Sequence, residues 1–247
     1  MYWQEKSEEK SFDVTDEVLD LCFKMECKSL PLDHAWSLST ALTQAAPWLL
    51  SSQNTAIHLV HGAESGNGWM RPENTENEIL HLSRRARFTL RLHRDHIETA
   101  NELNGLRLNI DGHALTIKDF KPQLLVPQTT IFSRYIITET DSNEYAFLNQ
   151  VAPMIESQGI QIRKMMGGLP HTFNTPDGPL TTRSLMLSDL EKEESIRLQQ
   201  NGIGEYQLYG MGIFLPHKGI AAVKELNEEL PQEQALRASQ KNRKSEV

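Results

Sequence analysis

The sequence predicts an α+β chain of two ferredoxin-like βαββαβ domains in tandem, with a glycine-rich loop near the C-terminus. Three observations carry the prediction. Short runs alternate apolar and polar residues with period two, most clearly at Phe88, Leu90 and Leu92 against Arg87, Thr89, Arg91 and His93. Between such runs stand segments at helical spacing, such as Leu38, Ala41, Leu42 and Ala45. The resulting order of strand, helix, strand, strand, helix, strand occurs once in the first half and again, more loosely, in the second. No residue-level repeat accompanies it.

The elements follow in order. Leu19, Leu21, Phe23 and Met25 alternate with Asp20, Cys22, Lys24 and Glu26 and read as a half-buried strand that Pro31 breaks. Asp33 is a plausible N-cap for a helix over 34–48, and 55–60 reads as the next strand. A loop with Gly66, Gly68 and Pro72 separates it from the strand 87–93. A short helix over 95–103 ends at Asn104-Gly105, and Asp111-Gly112 joins two strands, 106–110 and 114–120, as a hairpin. In the second half, 131–138 is a strand and 145–158 a helix closed by Gly159. A strand over 160–164, a loop over 165–179 and a strand over 182–187 come next. Ser188 and Glu191 form a capping box for a helix running to Gln200. Predicted domain bounds are 16–121 and 128–217, with a polar tail over 218–247 that ends in a basic stretch.

Composition bounds the function. A chain of 247 residues at 38% hydrophobic content can build such a core, and no apolar run approaches the roughly 18 residues of a membrane span. The opening MYWQEKSEEK has no apolar core, so neither a secretory signal nor membrane attachment is expected, and the cytoplasm is the expected compartment. Cys22 and Cys27 match no common zinc or redox spacing and read as reduced thiols. The net charge of −8 argues mildly against nucleic acid, but it hides an uneven distribution. Residues 81–94 hold Arg84, Arg85, Arg87, Arg91 and Arg94 and no acid, a basic stripe that reads either as a phosphate-binding face or as a solvated strand edge.

Near the C-terminus, NGIGEYQLYGMGIFLP places Gly202, Gly204, Gly210 and Gly212 close together before a short apolar strand. Such glycines allow backbone N–H groups to approach a phosphate, or they cap a helix and form ordinary turns. Both readings fit the residues.

Six stretches taken in order resemble one family. They are LPLDHAWSLSTAL at 30–42, Ile57-His58 with Gly62, LSRRARFTLRL at 82–92, the glycine-centred hairpin at 103–117, the block 125–138 ending in SRYIIT, and LQQNGIGEYQLYGMGIFLP at 198–216. Together they resemble the CRISPR-associated endoribonucleases of the sixth Cas family, closest to the branch first named after myxobacterial systems. Met211 departs from the pattern, where a smaller residue or cysteine is expected, and so do the acidic N-terminus and the long polar tail.

The resemblance implies two ferredoxin-like domains and metal-independent cutting of CRISPR repeat RNA into guide RNAs, with no cofactor. It also implies partnership with that RNA and with other subunits of an interference complex. In such a reaction the 2′-hydroxyl attacks the adjacent phosphate and leaves a cyclic phosphate, which calls for a base, an acid and positive charge. Histidine suits both proton roles. His34, at the start of the first helix, is the first candidate; His58 is the second and His61 the third. The alternative for each is a structural histidine, and an HxxH metal site at His58 and His61 would need a bend and further ligands. Arg84, Arg85, Arg87, Arg91, Arg134 and Lys164 are candidate phosphate contacts. Tyr206 and Tyr209 are candidate stacking residues, and Gly202, Gly204, Gly210 and Gly212 form the candidate loop. Two other classes stay open: a guide-RNA-holding subunit without catalysis, and an unrelated tandem ferredoxin-like protein whose glycines are only turns.

Overall fold

The computed structural model describes residues 13–61 and 78–217. The expected loop with Gly66, Gly68 and Pro72, the N-terminal ten residues and the tail 218–247 lie outside these residues. In chain order the elements are β1 (Val18–Glu26), β2 (Ser29–Pro31), α1 (Ala35–Ala45), β3 (Ala56–Ile57), β4 (Ile79–His81), β5 (Arg87–His93), β6 (Arg107–Ile110) and β7 (His113–Leu124). The second half adds β8 (Ile131–Ile137), α2 (Glu144–Glu156), β9 (Lys164–Thr175), β10 (Gly178–Ser188), α3 (Lys192–Asn201) and β11 (Leu215–Pro216).

Both halves are ferredoxin-like. The first sheet has the order β3-β5-β1-β7-β6 and the second β11-β8-β10-β9, so in each half the first and third strands of the βαββαβ unit lie at the centre. A small ladder, β2-β4, ties the turn after β1 to the approach to β5. Alternation works as expected: Leu21 and Phe23 of β1 face Phe88 and Leu90 of β5 and pack on Leu38 and Leu42 of α1. In the second half Phe147, Val151 and Ile155 of α2 pack on Leu185 and Leu187 of β10 and on Phe214. The Asp111-Gly112 turn closes the β6–β7 hairpin with φ of 48° and 85°, as a two-residue hairpin turn requires. Among the described residues no helix is long and apolar enough to cross a membrane.

Five local expectations change. The strand expected over 160–164 is irregular chain up to Lys164, the first residue of β9. Only Ala56–Ile57 of 55–60 pairs as a strand, with the His58 N–H extending it by one bond to Thr89 O. The helix expected over 95–103 is two 3₁₀ turns, Arg94–His96 and Thr99–Leu103. The segment 165–179 is not a loop, because its greater part is β9, the outer strand of a long hairpin with β10. Its glycines are there for close approach: a side chain on Gly168 would collide with Ser184, and one on Gly167 would press on Phe147 and Glu144. Pro170 is tolerated because β9 is an edge strand. Finally, the capping box sits one turn later than expected. Glu191 caps α3 and its partner is Glu194, not Ser188 with Glu191.

Glu194 also joins α3 to the chain entering β9. Its carboxylate accepts from Gln161 N at 2.9 Å, from Glu191 N at 2.8 Å and from Arg163 Nη1 at 2.6 Å. Burial pushes this carboxyl up, but the two backbone N–H groups and the Arg163 guanidinium outweigh burial and hold it below the usual range. A depressed carboxyl contributes stability above its unfolded pKa of about 4.3 and loses it as pH falls through the folded value. Glu194→Gln is therefore expected to lower the urea midpoint at pH 7 and to converge with the wild type on acidification. Urea titrations at several pH values check this, and a midpoint deficit that stays constant down to acid pH would count against it.

Candidate functional site

The two halves meet along a seam built by buried polar and aromatic residues. Arg91 on β5 is its centre. Although β5 alternates as expected, Arg91 is only 2% exposed because the second half covers that face of the sheet. Its Nε and Nη2 donate to Asp20 Oδ1 and Oδ2 at 2.8 and 2.9 Å. Its Nη1 donates to Gln199 O at 2.7 Å and to Phe214 O at 2.9 Å, carbonyls on either side of the glycine-rich loop. Burial pushes the Asp20 carboxyl up, but the Arg91 guanidinium and the His58 ring beside it more than offset this and hold it well below the usual carboxylate range. The expectation that Arg91 contacts RNA phosphate is corrected here: its guanidinium is committed to the protein.

The loop between those carbonyls is folded on itself. Gly202, Gly204, Gly210 and Gly212 all have positive φ. A side chain on Gly212 would run into the Ile203 carbonyl, and one on Gly210 into Leu59 of the first half. The N–H groups of Gly202, Ile203, Tyr209, Gly210, Met211 and Gly212 are all given to protein carbonyls. A phosphate cradle made by these N–H groups is thus not available as the loop stands, and Gly202 and Gly212 are buried. Gly204 and Tyr206 are exposed. Tyr209 stacks on Trp36 of α1 at 5.0 Å and 17°, and Tyr206 tilts against Tyr209 at 5.7 Å. Met211, the residue that departs from the family pattern, packs with Ala35, Leu59, Tyr135 and Phe173 in a cluster that spans both halves.

The histidines separate by environment. His34 is 2% exposed; its Nδ1 lies 2.9 Å from Pro31 O and its Nε2 accepts from Val60 N at 3.1 Å. Both ring nitrogens thus fix the start of α1 to the segment after β3. Asp33, expected as the helix cap, instead accepts from Asn174 N at 2.7 Å and Asn174 Nδ2 at 3.1 Å on the β9–β10 hairpin. His58 Nε2 lies 3.5 Å from Asp20 Oδ1 and belongs to the Arg91 assembly. His61 and His171 both lie against Tyr135, with ring centroids at 6.1 and 5.9 Å and interplanar angles of 37° and 82°. The structure thus brings one imidazole from each half to a phenol, next to α1 and the glycine loop. His171 is absent from the sequence candidates because its segment reads as a loop. The signal that marks it is the period-two relation to Phe173, which also packs on Tyr135.

The cations expected to meet phosphate are dispersed. Arg84, Arg85 and Arg87 are exposed at the entrance to β5, and Lys24 lies opposite Arg87 on β1. Arg134 is half-buried, with its guanidinium 5.1 Å from the centroid of the Phe132 ring. Lys164 is exposed and paired with Asp189 at 2.9 Å.

A family model described as Cas6 Crispr matches residues 19–219. A curated relative, the CRISPR-associated endonuclease Cas6 of Myxococcus xanthus (strain DK1622), is 27% identical over 206 residues, 83% of this chain and 84% of the relative. Among solved structures, one described as a Cas6-related gene product from Pyrococcus furiosus superposes with a TM-score of 0.56 at 15% identity, covering 80% of this chain and 97% of that one. A RAMP protein described as binding different RNA substrates gives 0.55 at 14% identity, with 81% and 100% covered. A further CRISPR associated protein Cas6 gives 0.52 at 11% identity, with 82% and 99% covered. At these identities the superpositions speak to the shared fold.

Arg91→Ala strands a buried carboxylate and is expected to cost about 3–5 kcal/mol of stability, read by urea unfolding at pH 7. The sign with pH follows from the depressed Asp20 carboxyl. Its contribution is complete above about pH 4 and is lost as pH falls through the folded value, so Asp20→Asn should flatten the acid limb of the stability profile. An Arg91→Ala protein as stable as the wild type would remove Arg91 from its central place.

Proposed function

The chain belongs to the Cas6 family, and on that premise we propose that it is a metal-independent endoribonuclease that binds CRISPR repeat RNA and cuts it into guide RNAs. The 2′-oxygen beside the scissile phosphate forms a bond to phosphorus while the bond to the 5′-oxygen breaks. The products are a 2′,3′-cyclic phosphate and a 5′-hydroxyl. One group takes the 2′-hydroxyl proton and another gives a proton to the leaving oxygen. The observation that supports this reading best is the convergence of His61 and His171 on Tyr135 beside the glycine-rich loop. We assign the two proton roles to that pair because it joins the two halves beside the loop; His34 bridges Pro31 O and Val60 N at the start of α1, and His58 lies against Asp20.

On the same reading, the halves 16–121 and 128–217 act as two domains that hold the RNA between them. Arg84, Arg85 and Arg87 meet phosphates, assisted by Arg134 and Lys164, and Tyr206 offers a face for stacking a base. The product stays bound within a cytoplasmic interference complex. One observation favours a second reading, a guide-RNA holder that does not cut: His34, the first sequence candidate for catalysis, is built into the fold.

Single-turnover cleavage of repeat RNA in EDTA separates the two. Cutting is expected in the wild type. His61→Ala and His171→Ala should each lose about 10²–10⁴-fold in rate while keeping RNA affinity. A 2′-deoxy residue at the scissile position should abolish cutting and leave binding intact. Tight binding with no cutting would select the second reading, and full activity in both histidine variants would return the chemistry to His58 or His34. Replacing Arg84, Arg85 and Arg87 together by Ala should weaken binding to all repeat variants alike. It should also reduce the salt slope by about 0.7 for each single-strand phosphate that is no longer neutralised. An unchanged slope would mean that these arginines are a solvated face.

A further inference from the structure

A cavity of about 270 Å³ lies between the segment after α1 and the start of the glycine-rich loop, with Leu50, Asn54 and Thr55 on one side and Gln199, Gln207 and Ile213 on the other. We propose that it is a nucleobase pocket that selects a base carrying an exocyclic amine, an inference that rests on the RNA-binding reading above.

Two buried polar atoms mark the cavity. Thr55, 7% exposed, and Gln199, 1% exposed, both line it. Thr55 Oγ1 and Gln199 Oε1 are each buried without a hydrogen-bond partner among the described residues. A buried polar atom left unpaired is costly, so a site that keeps two of them is arranged for something that enters. The hydrogen-bonding character of the lining says what enters. Three lining amides give both N–H groups to protein acceptors: Gln199 to Val126 O and Ser195 Oγ, Asn54 to Gln200 O and Asn201 Oδ1, Gln207 to Asn201 O and Gly204 O; Gln200 and Asn201 each give one, to Thr15 Oγ1 and Gln158 Oε1. What remains is rich in acceptors, and the Glu205 carboxylate adds to it.

Phosphate does not fit. Among the described lining residues the one cation is Arg91, whose guanidinium is committed to Asp20 and two carbonyls, and Glu205 repels an anion. A base does fit. Leu50, 66% exposed, offers an apolar surface at the rim for the ring face, with Leu208 and Ile213 further along the lining. Adenine and cytosine bring an NH₂ donor to the acceptors. Uracil brings two carbonyl oxygens, which oppose them.

The test measures binding of short single-stranded oligoribonucleotides of adenosine, cytidine and uridine by fluorescence anisotropy. Comparing cytidine with uridine removes ring size as a cause. The wild type is expected to bind the cytidine and adenosine oligomers about three- to tenfold more tightly than the uridine oligomer, as one or two neutral hydrogen bonds provide. Thr55→Val, which removes the buried hydroxyl at constant shape, and Glu205→Gln, an exposed change that leaves the fold alone, should each shrink that preference while uridine binding holds. Equal affinity of the wild type for all three oligomers, or a preference unchanged in both variants, overturns the pocket while the RNA-binding reading stands. Failure of the wild type to bind any oligomer overturns both.

Discussion

The geometry of the seam depends on one guanidinium. Arg91 meets the Asp20 carboxylate in a two-pronged pair inside the first half and, with its remaining nitrogen, holds a carbonyl on each side of the glycine-rich loop in the second. Such a pair is not mainly a source of stability, because the cost of removing two charges from water nearly cancels their attraction. Its value is position. A rigid fork with fixed donor directions defines where the loop's two ends sit relative to β1 and β5. Asp33 repeats the device at the other end of the seam, where it accepts from the main chain and side chain of Asn174.

With its ends fixed, the loop is free of the need to be held by a ligand. Its glycines permit a fold so close that its own carbonyls would collide with a side chain. The same closeness lets Gly212 N–H reach Tyr135 O at 2.6 Å and brings Tyr209 onto Trp36. The result is a continuous aromatic edge from Tyr206 to Trp36, with the Tyr135 group of rings and imidazoles on the neighbouring cluster. The glycines serve the seam directly and any RNA through it.

Much of the fold is legible in the residues. Alternation in β1 and β5, the Asp111-Gly112 turn and the apolar stripe of α2 are local patterns that obey local physics, and they appear where expected. One exception, β9, is locally loop-like, with Gly167, Gly168 and Pro170. It is a strand because β10 and α2 lie close enough to need the missing side chains. The site is less legible for a related reason. Alternation shows that Arg91 points away from the core of its own half but not what covers that face, since Gln199 and Phe214 lie more than a hundred positions along the chain. His34 likewise reads as a catalytic candidate at a helix start, and the bond its ring accepts from Val60 N–H has no local signature. Tyr206 and the arginines before β5 are surface residues in sequence and structure alike, because among the described residues nothing distant covers them.

The Arg91 assembly also has a history within each molecule's synthesis. Asp20 and Arg91 emerge early and can pair as soon as β1 and β5 have met. The carbonyls of Gln199 and Phe214 arrive only when almost the whole folded region has left the ribosome, and domains generally form N-terminal first. Until then the early half carries a charged pair on an open sheet face beside Leu59, a surface that becomes buried only when the glycine loop closes over it. The last residues of the second half therefore complete the joint: a chain that stops before Phe214 would keep the Asp33–Asn174 contact but lose Arg91's hold on the far end of the glycine loop.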